Sequence, residues 1–387
     1  MKNPLYVFGI LSVLLTACGS ATPLPLPDST PTQTPVASAT PQPPTVTPSP
    51  QPSPTPDYPP EGYGPSNFPS IVNPLTGLKM ADPTLLDRRP LLIKVSNLPR
   101  SVRPQWGVSL ADIVFEYYTE EGTTRFAAVF YGNNADMVGP IRSGRLIDAH
   151  LVRGYKAIFA FGSADVAVLP RFYNSEFADR LVVEGSSTPL TRYDPSGYSF
   201  LMANTADLTT YASSKGIANG RQNLDGMFFK LEAPAGGQPA SQVIIRYSRS
   251  IYNRWDYDPT SGKYLRFSDT SDLSDTKLIE QYAQLTDRLT SQPIAFNNLV
   301  VLYIEHKVFR PGIYDILFSG SGEGYAFRDG QVYQVKWQRN DTDVVTLSNL
   351  DGTPFPFIPG TTWFEIVGIA STVQQTPEGW RFLHQMP

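Results

Sequence analysis

Basic and hydroxyl side chains are concentrated around a turn signal, Gly139-Pro140, in the first half of the chain. Guanidinium groups can bind a carboxylate or a phosphate through two parallel hydrogen bonds. Backbone N–H groups at the start of a helix favour the same anions, and ligands of open α/β sheets bind where strands end and helices begin. Four residues are therefore predicted to bind an anionic ligand: Arg125, Arg142, Ser143 and Arg145.

Acidic side chains near these arginines allow other interpretations. Glu116 and Glu121 could form ion pairs that fix the loops to the sheet, or they could line the same ligand site. Two carboxylates at a fixed separation could also act as acid and base in glycoside cleavage. Adjacent strand residues point to opposite faces, so only one member of the pair Glu120-Glu121 can enter a cleft. Ion pairing and ligand binding both stay open, with catalysis by Glu116 or Glu121 as an alternative.

Ser163 and Asp165 directly follow a predicted strand, where side chains can reach a site. A serine hydrolase needs a histidine base and an oxyanion hole. The histidines are isolated in the sequence, and no Gly-x-Ser-x-Gly elbow is present. Isolated histidines and the lack of a free cysteine also argue against a zinc site. Ser163 and Asp165 are therefore predicted to contribute to binding, and no catalytic or metal-binding residue is assigned.

The elements that must position these residues alternate between strands and helices in the first half. Strands are predicted over 91–95, 112–118, 126–131 and 157–161. Ser143 is a plausible N-cap of a helix whose buried face includes Ile147, Leu151 and Tyr155. The order strand, helix and strand over 126–161 predicts a βαβ unit. Further helices are expected over 166–172 and 205–215.

The second half changes to short strands separated by turn residues such as Asp329-Gly330 and Asp351-Gly352. This pattern predicts a mainly antiparallel β-sheet. The glycine-rich segment 319–324 precedes a strand and lacks the Gly-Lys-Ser/Thr of a phosphate-binding loop. It is predicted to be a flexible connection between strands.

The N-terminus predicts where the protein works. The apolar run 5–15 is shorter than the roughly 20 residues that span a bilayer and fits a signal peptide over 1–17. The tetrad Leu15-Thr16-Ala17-Cys18 resembles a bacterial lipobox, in which the cysteine carries the lipid. Residues 18–70 are rich in Pro, Thr and Ser and are predicted to be a disordered tether. Lipidation of Cys18 would place the protein on the outer face of the cytoplasmic membrane.

Composition narrows the function further. The chain has 31 basic and 35 acidic residues, so it has no electrostatic signature of nucleic-acid binding. Cys18 is the only cysteine, so no disulfide or cysteine nucleophile is expected in the folded part. ATP and NAD(P)H are absent outside the cell, and no cofactor is expected. The partners expected are the membrane, through the lipid, and a cell-wall component or an envelope protein.

Several segments together resemble the YerB-like bacterial lipoproteins, a family described as a domain of unknown function. The segments that carry the resemblance are 73–77, 89–90, 103–105, 111–116, 124–126, 139–145 and 362–363. The resemblance implies an N-terminal family domain over 71–217 and a C-terminal one over 239–368. It also implies a mixed α/β (α+β) layered sandwich, and it implies no reaction. The chain departs from the family pattern at Phe161-Gly162-Ser163 and near 199–204, where relatives tend to have histidines.

The expected function is therefore a lipid-anchored, non-enzymatic envelope module that binds a wall component or an anionic ligand. An extracellular wall hydrolase that uses Glu116 or Glu121 is one alternative. A scaffold that docks a wall enzyme is the other.

Overall fold

The computed structural model describes residues 58–194, 199–274 and 279–386. The α-helices are α1 (Leu146–Tyr155), α2 (Leu169–Tyr173) and α3 (Thr205–Ser214). Short 3-10 helices are formed by Pro83–Asp87, Arg100–Val102, Val108–Leu110 and Ala178–Arg180. Strands of the first part are β1 (Leu91–Ser96), β2 (Ile113–Tyr118), β3 (Thr124–Phe130), β4 (Ile158–Phe161), β5 (Leu181–Val183), β6 (Thr191–Tyr193), β7 (Phe200–Met202) and β8 (Phe228–Phe229). Next come β9 (Gln238–Pro239), β10 (Gln242–Arg246), β11 (Tyr252–Asp258), β12 (Lys263–Asp269), β13 (Tyr282–Gln284), β14 (Ala295–Phe296), β15 (Asn298–Ile304) and β16 (His306–Arg310). The last are β17 (Ile313–Ile316), β18 (Gly320–Arg328), β19 (Gln331–Arg339), β20 (Thr346–Ser348), β21 (Pro356–Phe357), β22 (Thr362–Gly368), β23 (Thr372–Thr376) and β24 (Gly379–Leu383).

One large sheet takes strands from both halves of the sequence. Its order is β20-β19-β18-β15-β22-β2-β3-β1-β4-β5, with β9 paired to β19. Seven of these strands run in the same direction: β1, β2, β4, β5, β15, β19 and β22. Their last residues therefore lie along one side of the sheet, which we call the carboxyl end. Their first residues lie along the opposite side, the amino end.

The faces of the large sheet are covered by different layers. In β1, Leu92 packs in the apolar cluster that contains α1 and α2. Its neighbours Leu91 and Ile93 pack in a second cluster, which contains α3 and the second sheet. That sheet has the order β13-β12-β11-β10-β24-β23, with β14 paired to β12. Alternation along a strand thus separates two cores, and the layered mixed α/β architecture with a largely antiparallel second half is confirmed.

The structure corrects three details. β3, α1 and β4 follow one another as predicted, but β3 is antiparallel to β1 while β4 is parallel to it. A βαβ unit is therefore not formed by these three elements, and the parallel neighbours are β1 and β4. The N-cap of α1 is Arg145 and not Ser143. Segment 319–324 is not a flexible connection, because Gly320–Arg328 forms strand β18 between β15 and β19.

The structure describes only the last part of the predicted tether. Cys18, the predicted signal peptide and tether residues 18–57 lie outside the described residues. Residues 58–70, also assigned to the tether, contact the folded body: the N–H of Tyr63 donates to Phe229 O at 2.9 Å. The ring of Phe68 packs against that of Phe229. In the described ranges, every helix is too short or too polar to cross a membrane.

Candidate functional site

The predicted binding loops meet at the carboxyl end of the large sheet. The N–H of Gly144 donates to Ser163 O at 2.7 Å, and the N–H of Gly162 donates to Arg142 O at 3.0 Å. These bonds join the loop before α1 to the loop after β4. Residues 142–145 and 162–165 are therefore neighbours at this end of the sheet.

Arg125 and Arg145 share one carboxylate, that of Glu120. A terminal nitrogen of Arg125 lies 3.0 Å from Glu120 Oε1, and Arg145 Nε donates to Glu120 Oε2 at 2.7 Å. Arg125 also donates to Ser143 O at 2.8 Å. Burial and then the charge of Arg145 lower the pKa of Arg125 to about 10. The structure thus brings together Arg125, Ser143 and Arg145, but both guanidinium groups are already paired with Glu120.

A buried polar group lies beneath this cluster. Lys94 Nζ is 3.2 Å from Asp148 Oδ1, and the Tyr117 hydroxyl contacts both groups. The other Asp148 oxygen accepts from the Arg145 N–H at 2.6 Å, which caps α1. Burial lowers the pKa of Lys94 to about 7, against the attraction of Asp148. Lys94, Tyr117 and Asp148 are fully buried, so none of them can contact a ligand in this conformation.

Arg142 is exposed and stands apart from this cluster. Its Nε donates to Ser96 Oγ at 3.2 Å. Its side chain lines a small cavity of about 150 Å³ beside Arg192, which itself pairs with Glu184. The predicted arginine set is therefore divided between two environments, and Arg142 is its most accessible member.

Ser163 and Asp165 lie where the sequence placed them, after β4. Ser163 is exposed. Asp165 accepts from the Ala167 N–H at 2.8 Å and pairs with Arg310. These contacts, the backbone bond first, lower the pKa of Asp165. Asp165 is therefore an ionised side chain held by its own loop and by β16.

Glu116 is buried between the two sheets, whereas Glu121 lies on the protein surface. Glu116 is fully buried and points away from the arginine cluster, because the next residue, Tyr117, faces α1. Glu116 Oε2 is 2.7 Å from Arg266, and its Oε1 accepts from Thr124 at 2.6 Å. Glu121 is exposed on the β2–β3 turn. The two carboxylates do not share a cleft, which leaves the predicted acid–base pair without a structural basis.

Glu116 belongs to an ionic network between the two sheets. It lies beside Glu365 in the parallel register of β2 and β22. Arg266 pairs with both, at 3.2 Å from Glu365 Oε1. Glu365 also accepts from Trp255 Nε1 at 3.0 Å and from the Tyr247 hydroxyl at 2.9 Å. Burial and the charge of Glu116 raise the pKa of Glu365 well above its usual range.

Two histidines that are remote in sequence meet near the carboxyl end of the sheet. The ring centroids of His306 and His384 are 5.2 Å apart. His384 Nδ1 accepts from the Gly368 N–H at 3.0 Å. Burial lowers the pKa of His306 to about 4 and that of His384 to about 3, so both are neutral at pH 7. Across the described ranges, no group of three or more His, Cys, Asp or Glu residues is arranged to hold a metal ion.

A cavity of about 640 Å³ opens at the carboxyl end of β15 and β22, and sequence reasoning did not identify it. Trp337 Nε1 donates to Tyr303 O at 3.1 Å, and the Tyr303 and Tyr325 rings lie 6.2 Å apart. The residues that line it are Tyr303, Glu305, Leu317, Ser319, Ser321, Gly322, Glu323, Tyr325, Trp337, Ile369, Ser371 and Val373. A Cβ at Gly322 would lie 2.6 Å from Trp337 Nε1, so glycine allows the strand to cross this ring.

The polar groups of this cavity have a distinct chemistry. Glu305 and Glu323 are exposed acceptors, and three serines add hydroxyl groups. Among the described lining residues there is no lysine or arginine. The Tyr303 hydroxyl is buried and has no hydrogen-bond partner in the described part of the chain. A buried unpaired hydroxyl is costly, and a bound molecule with a polar group would satisfy it.

Comparison with known proteins gives consistent matches. Residues 75–218 match the family described as "Protein of unknown function (DUF3048) N-terminal domain", and residues 243–364 match its C-terminal domain. The chain is 28% identical over 317 residues to YerB of Bacillus subtilis (strain 168), a protein named as a lipoprotein; the match covers 78% of this chain and 88% of YerB. A crystal structure of the YerB protein from Bacillus subtilis superposes with a TM-score of 0.63 at 27% identity, over 77% of this chain and 96% of that one.

Proposed function

Because the chain belongs to the YerB-like (DUF3048) family, whose name assigns no activity, we propose a function from its own geometry: a lipid-anchored, non-enzymatic module that binds cell-wall glycan. The observation that carries the proposal is the cavity of about 640 Å³ at the carboxyl end of β15 and β22. Ligand pockets of this size typically combine apolar and aromatic walls with a few polar groups.

Glycan fits the lining better than an anion does. The C–H faces of sugar rings pack on aromatic side chains such as Tyr303 and Tyr325, and sugar hydroxyls donate to carboxylates such as Glu305 and Glu323. Two carboxylates without a lining cation would repel an anionic ligand. The ligand expected here is therefore uncharged or positively charged, and rich in hydroxyl groups.

The residues behind the other candidate functions do not line a cavity of this size. The hydrolase alternative relied on Glu116, which is fully buried between the sheets, and on Glu121, which lies on an exposed turn. The anionic-ligand alternative relied on Arg125, Arg142 and Arg145. Arg125 and Arg145 already share Glu120, and Arg142 lines a cavity of only about 150 Å³. A protein scaffold would need an apolar docking surface, and the cavity instead alternates aromatic rings with carboxylates and hydroxyl groups.

Binding of soluble wall-glycan oligosaccharides should be weakened about tenfold by the double change Glu305→Gln and Glu323→Gln. Both side chains are exposed, so the fold should be unaffected. Titration calorimetry on the full chain gives the affinities, and Glu121→Gln, an exposed glutamate remote in sequence from the cavity, is the matched control. Equal glycan affinity of the double variant and the wild type would contradict the proposal that this cavity binds glycan. Shortening of the oligosaccharides by the wild type alone would show an enzyme instead of a binding module.

Lipid attachment at Cys18 should keep the protein in the membrane fraction. Two acyl chains suffice for stable anchoring, and the tetrad before Cys18 fits the processing site. Metabolic labelling with a fatty-acid analogue should label the wild type, and Cys18→Ser should abolish the label and release the protein to the medium. An unlabelled wild-type protein that is equally membrane-bound would contradict lipid anchoring.

A further inference from the structure

The amino end of the large sheet carries an uncompensated positive charge. A shallow cavity of about 330 Å³ lies there, between the loops that precede β1, β4 and β5. Its lining residues are Arg89, Arg153, Lys156, Glu176, Asp179, Arg180, Gln222 and Thr342. Four cations thus face two carboxylates, which leaves a surplus of two positive charges.

The partners of these cations do not remove the surplus. Glu176 is already paired with Arg153 at 2.7 Å. Arg89 donates to Lys156 O at 2.9 Å and to the Gln222 side-chain oxygen at 2.8 Å. Carbonyl and amide oxygens accept hydrogen bonds but carry no net charge. The second carboxylate that lines the cavity belongs to Asp179, and its charge attracts Arg89.

Lys156 and Arg180 follow the same pattern. Lys156 Nζ donates to the carbonyls of Asn223 and Thr342, at 2.8 and 3.0 Å. Arg180 donates to Ala157 O at a long 3.4 Å. In the part of the chain that the structure describes, neither cation has a side-chain nitrogen within 4.0 Å of a carboxylate oxygen. Burial and then Arg89 lower the pKa of Arg180, as expected for like charges held close together.

The site is also rigid. The bonds from Arg89 and Lys156 to main-chain carbonyls fix two long side chains that would otherwise move in solvent, so a ligand would not have to order them. Asp343, which also attracts Lys156, is offset by the nearby charge of Arg339. The surplus of two charges matches a phosphate group, and guanidinium groups bind phosphate oxygens through directed donor pairs.

We propose that Arg89, Lys156 and Arg180 form a binding site for a phosphate ester, distinct from the glycan cavity at the other end of the sheet. The phosphate could belong to a soluble molecule or to a lipid headgroup, since the chemistry that recognises it is the same. The proposal does not depend on the glycan function.

Replacement of Arg180 by Gln separates a ligand site from a structural one. Because its hydrogen bond is long and Arg89 repels it, Arg180→Gln should leave the free protein as stable as the wild type or more so. Inorganic phosphate should raise the melting temperature of the wild type beyond the effect of chloride at equal ionic strength. Arg180→Gln should reduce phosphate affinity at least tenfold, whereas Asp179→Asn should increase it severalfold. Arg192→Gln, at an exposed arginine in another cavity, should change nothing.

Sedimentation with lipid vesicles distinguishes a lipid headgroup from a soluble phosphate ester as the ligand. The full chain with Cys18→Ser, which lacks the lipid, is sedimented with phosphatidylglycerol and with phosphatidylcholine vesicles. Retention on phosphatidylglycerol alone that is lost in Arg180→Gln supports a headgroup ligand. Phosphate binding without retention supports a soluble ligand. A destabilised Arg180→Gln protein, together with a wild type that ignores both phosphate and vesicles, would overturn the proposal.

Discussion

Arg266→Met should lower the free energy of unfolding by about 3–5 kcal/mol, the range for a buried ion pair that loses one partner. Arg266 is 1% exposed and pairs with both Glu116 and Glu365, which are fully buried. Without the guanidinium group, the carboxyl groups of Glu116 and Glu365 would face each other between the sheets, and a carboxylate charge there would have no compensating charge from β12. Urea denaturation of the full chain at pH 7 measures the loss.

Two comparisons make that result specific. Arg192→Met removes an arginine from a largely exposed ion pair and should cost roughly 0–1 kcal/mol. Adding Glu365→Gln to Arg266→Met removes a carboxyl group that repels Glu116 whenever it is ionised, so the second change should recover part of the stability. A loss below about 1 kcal/mol for Arg266→Met would mean that the network contributes little to folding.

The network also fixes the sign of a pH effect. The raised pKa of Glu365 means that the folded state holds its proton more tightly than the unfolded state does. Stability from this group is therefore lost as the pH rises from the ordinary glutamate value toward the raised one. Glu365→Gln should remove that slope.

Asp148→Asn should destabilise the protein by about 3–5 kcal/mol at pH 5.5, with a smaller deficit at pH 9. The change leaves Lys94 fully buried without its carboxylate, while the new amide oxygen can still accept from the Arg145 N–H. The groups that face Lys94 are Tyr117 on β2, Arg125 on β3 and Arg145 before α1.

The pH dependence follows from the direction of the Lys94 shift. Burial lowers its pKa to about 7, so the folded state releases this proton before the unfolded state does. Above that value Lys94 is neutral in both proteins, and the missing carboxylate matters less. Denaturation at the two pH values measures the difference, and Asp207→Asn in the first turn of α3, an exposed position, is the control. A deficit that grows with pH would contradict this assignment of charge.

The sequence predicted local elements well where one face or a whole strand is apolar. β1, β2 and β4 were predicted as strands, and α1 was predicted from its helical spacing. The direction of β4 relative to β3 could not be predicted, because it depends on β1 lying between them. Strand β18 was misjudged because its glycines indicate flexibility, although Gly322 allows close packing against Trp337.

The structure brings predicted binding residues together where their loops are hydrogen-bonded to each other. Ser143 and Arg145 lie near Ser163 because the loop before α1 bonds to the loop after β4. Lys94 and Arg266 carried no signal, because a charged residue within a strand looks solvent-exposed until its buried partner is known. The cations of the amino end precede three different strands, and only the strand order brings them together.

The central position of β22 has a consequence for how the chain acquires its fold. Residues 113–117 of β2 pair on one side with residues 362–366, which follow much later in the chain. Until β22 is synthesised, β2 presents an open row of backbone donors and acceptors, which is a hazard for association with other chains. Loop closure over so long a separation is slow. Neither half can therefore complete its sheet alone, and the open edge of β2 needs protection until β22 is available for pairing.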